Sequence, residues 1–152
     1  MTDATITKTA FFAVGPETVW KYLTNKEKLA EWFHGAETDL AEGEGYSLGE
    51  IKDDCSWNKI IWGTVQHWEP PVKLQYTFNI TPLNGIITTV TWTLAESHGG
   101  TLLTLKHEGV GALGDDALGL LMALDDGWDE HIGRLRNTLK DENQATPDCS
   151  EH

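Results

Sequence analysis

Apolar and polar residues change period several times along the chain. Residues 5–12 alternate and are rich in β-branched side chains, which predicts a strand. Pro16 then stands where a helix begins, a position at which its missing N–H costs nothing, and Val19, Trp20 and Leu23 follow at helical spacing. Thr24 or Asn25 is suited to cap a second short helix that runs to Phe33, with Leu29, Trp32 and Phe33 on its apolar side. The middle of the chain returns to a period of two. Residues 46–52 and 59–68 read as strands around a turn cluster at 53–57, and Glu69-Pro70-Pro71 ends the second because prolines cannot continue a ladder. Residues 72–80 alternate most cleanly, with Val72, Leu74, Tyr76, Phe78 and Ile80 on one face and Lys73, Gln75, Thr77 and Asn79 on the other. Asn84-Gly85 predicts a hairpin turn into a strand over 86–95. His98-Gly99-Gly100 turns the chain again into 101–108, where Leu103, Leu105 and His107 share a face.

Strands with one apolar and one polar face predict an antiparallel sheet solvated on one side. The cover for the other side is the segment 115–140, where Leu121, Leu124, Trp128, Ile132, Leu135 and Leu139 recur every three or four residues. Asp126, Asp129, Glu130 and Arg134 fall on its opposite side. The order is strand, two short helices, about six strands and one long helix, which predicts an α+β fold.

Composition narrows the class. At 152 residues a single domain is expected, with a core large enough to need neither disulfides nor metal. The formal charge of −13 repels phosphate backbones and anionic bilayers, so neither nucleic acid nor membrane is expected as a partner. No stretch approaches the roughly 18–20 apolar residues of a membrane span. The two cysteines, Cys55 and Cys149, form no framework and no metal-ligand spacing. Residues 1–10 lack the basic and apolar regions of a secretion signal, so a cytoplasmic location is expected. Residues 141–152 are polar and aperiodic and are expected to form a disordered tail after a domain at 1–140.

The segments PETVWKYLTNKEKLAEWF at 16–33, EGEGYSLG at 42–49, WEPPVKLQYTF at 68–78, GGTLLTLKHEGV at 99–110 and GWDEHIGRLRNTL at 127–139 carry a resemblance. In this order they resemble single-domain proteins similar to the activator of heat-shock protein 90 ATPase, within the START-like (SRPBCC) superfamily. The resemblance runs from about residue 6 to residue 139. It implies a helix-grip fold like that of the birch-pollen allergen, with a curved antiparallel sheet of about six to seven strands around the C-terminal helix. The eukaryotic activator carries a separate N-terminal domain with an Asn- and Trp-containing motif that has no counterpart in these residues. Activation of the chaperone ATPase itself is therefore not expected.

The superfamily fold implies a cavity between sheet and long helix. The residues expected to line it are Trp32, Phe33, Trp62, Trp68, Tyr76, Phe78, Trp92, His107, Leu121, Leu124 and Trp128. Aromatic walls with few polar groups suit a small apolar or aromatic molecule. The alternative is that these rings simply fill the core. Trp20 reads as a packing residue of the first helix and Trp57 as a loop residue. Thr64 and Gln66 are expected on the same side as Trp62 and Trp68.

His107 is the titratable group on an inward strand face and the weak candidate for catalysis. No inward carboxylate, Ser or Cys accompanies it, so a structural imidazole bonded to backbone or tryptophan is favoured. His131, three residues after Trp128, is placed near the helix rim. The acidic runs around Glu42–Asp54 and Asp125–Glu130 match no calcium-loop pattern and read as solvated faces, so no metal and no cofactor is expected. The leading functional expectation is non-enzymatic binding of a small molecule. A cyclase- or hydrolase-type enzyme using His107 and a stress-related protein-interaction module are the alternatives. A homodimer anchored by an exposed tryptophan is a further expectation.

Overall fold

A computed structural model describes residues 5–83 and 85–144. Asn84 of the expected Asn84-Gly85 turn and residues 145–152 of the expected tail lie outside the described residues. Strand β1 (Thr5–Phe12) is followed by helices α1 (Pro16–Thr24) and α2 (Lys26–Trp32). Strands β2 (Gly35–Ala36), β3 (Gly45–Ile51), β4 (Trp57–Glu69), β5 (Lys73–Phe78), β6 (Thr88–Ser97) and β7 (Gly100–Glu108) lead to the long helix α3 (Ala117–Gln144). The seven strands form one antiparallel sheet in the order β1-β7-β6-β5-β4-β3-β2. The sheet curls around α3 in the helix-grip arrangement.

Local chemistry explains the helix starts. Pro16 opens α1 with its fixed φ. The side chain of Asn25 accepts hydrogen bonds from the backbone N–H of Glu27 and Lys28 at 3.0 and 3.1 Å, which satisfies two donors at the start of α2. Trp128, Ile132, Leu135 and Leu139 are the buried stripe of α3. Lys8 on β1 ties the opposite sheet edge to α3 through Asp125 and Asp129, at 2.6 and 3.0 Å. Carboxylate oxygens of Asp125, Asp126 and Asp129 lie within 4.8 Å of one another, and the first and last of these residues hold that ammonium.

Several boundaries differ from the sequence reading. The two-residue strand β2 is too short to leave a periodic signature. A 3-10 segment over Thr81–Leu83 and another, kinked at Gly114, over Val110–Asp116 occupy connections to which the sequence pattern assigns no element, apart from 115–116, which are expected to open the long helix. Trp57, expected in a loop, begins β4 and donates its indole N–H to Ser47 Oγ at 2.7 Å. Helix α3 runs to Gln144, because residues 141–144 contain no Gly or Pro to stop it. Among the described residues no helix is long and apolar enough to cross a membrane.

Candidate functional site

Two register irregularities in β4 decide what faces the interior. Leu48 pairs Ile61 but Gly49 pairs Lys59, so Ile60 is an extra residue and both Ile60 and Ile61 turn toward α3. Gly49 is required at this bulge, since a Cβ there would lie 1.9 Å from the Asn58 carbonyl oxygen. Further along, Val65 pairs Tyr76 and His67 pairs Gln75, which leaves Gln66 unpaired. The second bulge inverts the alternation. Trp68 therefore shares the inner face with Leu74, whereas Trp62 bridges to Asn79 on the outer face.

This corrects the sequence reading for Trp62, and for Thr64 and Gln66, both exposed. Trp62 lies in an open outer groove beside Trp57, with the Lys59 ammonium 4.9 Å from its ring centroid. Trp68 faces inward but meets Trp20 edge-on at 5.2 Å, away from the other rings. An even-spaced reading puts Trp62 and Trp68 together, and only the bulge separates them.

The remaining rings form a filled box beneath α3. Trp32 and Trp92 are each 1% exposed and meet edge-on at 6.0 Å; Trp92 meets Trp128 at 5.5 Å. Their polar handles are all engaged. Trp32 Nε1 donates to the Tyr22 carbonyl at 2.8 Å, and Trp92 Nε1 donates to the Tyr76 hydroxyl at 2.9 Å. His107 is completely buried under Trp128 and Phe78. Thr88 Oγ1 donates to the Phe78 carbonyl at 2.8 Å, so it accepts from His107 Nε2, also at 2.8 Å. The other nitrogen, Nδ1, accepts from Trp128 Nε1 at 3.1 Å. These bonds specify the neutral Nε2–H tautomer, and burial pushes the pKa from 6.5 down to about 4. With both nitrogens occupied, His107 offers no free atom to a reactant.

The space between sheet and helix is thus mostly full of rings. What stays open is a cleft of about 200 Å³ at one end of the box. Phe33, Phe78 and Trp128 form its aromatic walls, and Ile60, Ile61, Ile80, Ala123 and Leu124 its aliphatic ones. Of the residues expected to line a cavity, Phe33, Phe78, Leu124 and Trp128 reach this cleft. Trp32, Tyr76, Trp92 and His107 are instead buried in the core, and Leu121 is only partly buried against it.

Two imidazoles complete the rim. His34 follows Phe33 at the end of α2, and His131 lies one α3 turn beyond Trp128; both line the cleft. Their centroids stand 5.5 Å apart, and His131 meets the Phe33 ring edge-on at 4.7 Å. His131 Nδ1 donates to the Trp32 carbonyl at 3.3 Å. Burial is the largest influence on both and lowers both pKa values. Glu50 opposes this at His34, and the Trp32 carbonyl opposes it at His131. His34 was not singled out from sequence, because a lone His after an apolar run carries no spacing signal; its neighbour Gly35 pairs with Gly49 and fixes the turn that brings it to the rim.

The comparisons with known proteins agree with this architecture. The family model described as Activator of Hsp90 ATPase homolog 1-like protein matches residues 13–140. No curated protein matches the chain. Among solved structures, the chain is similar to protein MLL2253 from Mesorhizobium loti, with 23% identity, a TM-score of 0.75, and 91% of this chain and 98% of that one covered. It is similar to PFC0360w, an HSP90 activator from Plasmodium falciparum, with 22% identity, a TM-score of 0.71, and coverage of 90% and 96%. It is also similar to CalU16 from Micromonospora echinospora, with 21% identity, a TM-score of 0.71, and coverage of 93% and 80%. At these identities the likeness speaks for the fold.

Proposed function

The chain belongs to the Activator of Hsp90 ATPase homolog 1-like family, and from its START-like fold we propose that it binds a small apolar or aromatic molecule, without catalysis, in the cleft beside Trp128. The observation that carries this reading is the cleft itself. Its walls are three aromatic rings and five aliphatic side chains, set beside a packed box of buried residues. At about 200 Å³ it is smaller than the roughly 300–1,000 Å³ pockets of drug-sized ligands. It is near the scale of an apolar cavity of about 150 Å³ that takes up benzene. One ring or a short branched chain fits; a sterol or a full acyl chain does not.

The enclosure of His107 speaks against the enzymatic alternative, since general acid–base work needs a nitrogen within reach of substrate. Chaperone activation is what the Plasmodium relative's description says of that protein. Among the described residues the thiol of Cys55 is free and exposed, which supports a reducing compartment such as the cytosol.

The test is a titration with toluene, indole and palmitate, followed by Trp fluorescence and thermal melting. Single-ring compounds at a hundredfold excess over Kd should stabilise by about 2.7 kcal/mol, a shift of several degrees in Tm. Palmitate should give no shift. No response to any single-ring compound overturns the reading.

A further inference from the structure

The rim of the cleft holds hydrogen-bonding capacity that the fold leaves unused. His131 Nδ1 carries its proton toward the Trp32 carbonyl, so the neutral ring presents Nε2 as a bare acceptor. His34 contacts Phe33 and His131 through its ring, and no described residue hydrogen-bonds its nitrogens. A neutral imidazole always offers one donor and one acceptor. Two such rings 5.5 Å apart, at the mouth of an apolar slot, match a group that donates one hydrogen bond and accepts another.

We propose that the cleft is a phenol site, in which a single hydroxylated ring enters between Phe33, Phe78 and Trp128 and its hydroxyl sits between His34 and His131. The proposal rests on the reading that the cleft binds an aromatic molecule. The hydroxyl donates to His131 Nε2 and accepts from the N–H of His34. An unsubstituted ring fills the same volume but leaves those nitrogens half desolvated and unpaired, which is the costly condition for a polar group.

The surrounding charges select against an anion. Burial keeps both imidazoles uncharged near neutral pH. Glu50 acts on His34, and Glu130 acts on His131. The cation that acts on both rings, Arg134, is held by Glu130 at 2.5 Å. A carboxylate placed between the imidazoles would meet the Glu50 carboxylate, a Glu130–Arg134 pair that is neutral as a whole, uncharged rings and a chain of net charge −13. A phenol, with a pKa of about 10, stays neutral.

Isothermal titration at pH 7.5 with p-cresol, toluene and benzoate tests this in the wild-type chain and in His34→Phe/His131→Phe. For wild type, p-cresol should bind about five- to tenfold more tightly than toluene, the worth of a typical net hydrogen bond, and benzoate should bind weakest. In the double variant the p-cresol to toluene ratio should fall to about one, whatever the change in the affinity for toluene itself. His34→Phe alone removes no hydrogen bond of the fold and serves if the double variant melts; it should lower the ratio by about half or more. Equal binding of toluene and p-cresol to wild type overturns the phenol site and leaves the aromatic-binding reading standing. So does a ratio that survives the substitutions, or tightest binding by benzoate. Failure of all three compounds to bind overturns both.

Discussion

His107 and His131 both lie within ring contact of Trp128, at centroid distances of 6.0 and 6.4 Å, the first inside the packed box and the second on the rim of the cleft. On the inner side, the hydrogen bonds around His107 run without a break: Trp128 bonds His107, His107 bonds Thr88, and Thr88 bonds the Phe78 carbonyl. On the outer side, His131 uses one nitrogen and His34 neither among the described residues. Burial lowers the pKa on both sides. Burial therefore does not distinguish structure from site in this protein; the completeness of the hydrogen bonding does. A saturated buried network makes a rigid wall, and an unsaturated half-buried one leaves capacity for a ligand.

The comparison breaks most severely at the shared indole. Trp128→Ala should cost about 3–5 kcal/mol in urea unfolding, since it opens a cavity and strips His107 Nδ1 of its donor. If it costs less than about 1 kcal/mol, the box is not the keystone described above.

The next effect is a dependence on pH. His107 titrates near 6.5 when unfolded and about 4 when folded. Between these values the unfolded chain binds more protons, so this contribution to stability is whole above about pH 6.5 and is lost as pH falls toward 4. At about 1.4 kcal/mol per unit the loss is about 3 kcal/mol. His107→Leu should flatten the slope of unfolding free energy over that window. His34 and His131 have pKa values lowered in the same direction and leave a residual slope. An unchanged slope would show that His107 does not titrate as its surroundings require.

The smallest effect belongs to the rim. His34→Phe should alter stability by less than about 0.5 kcal/mol, because no hydrogen bond of the fold is lost. A larger loss would make His34 part of the scaffold and erase the contrast with His107.

The alternation of Leu74, Tyr76 and Phe78 and the stripe from Trp128 to Leu139 made the sheet and its covering helix legible, because each period is written in side-chain type. The shared interior of Trp32, Trp92, Trp128 and His107 was legible for the same reason. The bulges at Ile60 and Gln66 were not, since one extra residue reverses every face beyond it without changing composition. Trp62 was misplaced on that account. Whether the rings fill the interior depends on interplanar angles and distances of a few ångströms, which no pattern encodes. His34 reaches the rim through tertiary pairing of Gly35 with Gly49, and local sequence carries no trace of it.

The central claim is that the box is closed and the cleft beside it is open. The tryptophan side-chain N–H resonances report this directly, because those of Trp32, Trp92 and Trp128 are each fixed by one hydrogen bond. On titration with p-cresol in a nitrogen-labelled sample, the Trp128 signal should shift in a saturable way, while those of Trp32 and Trp92 stay nearly fixed. Equal movement of all three, or movement of Trp92 alone, would mean that the ligand enters the box and would contradict the account.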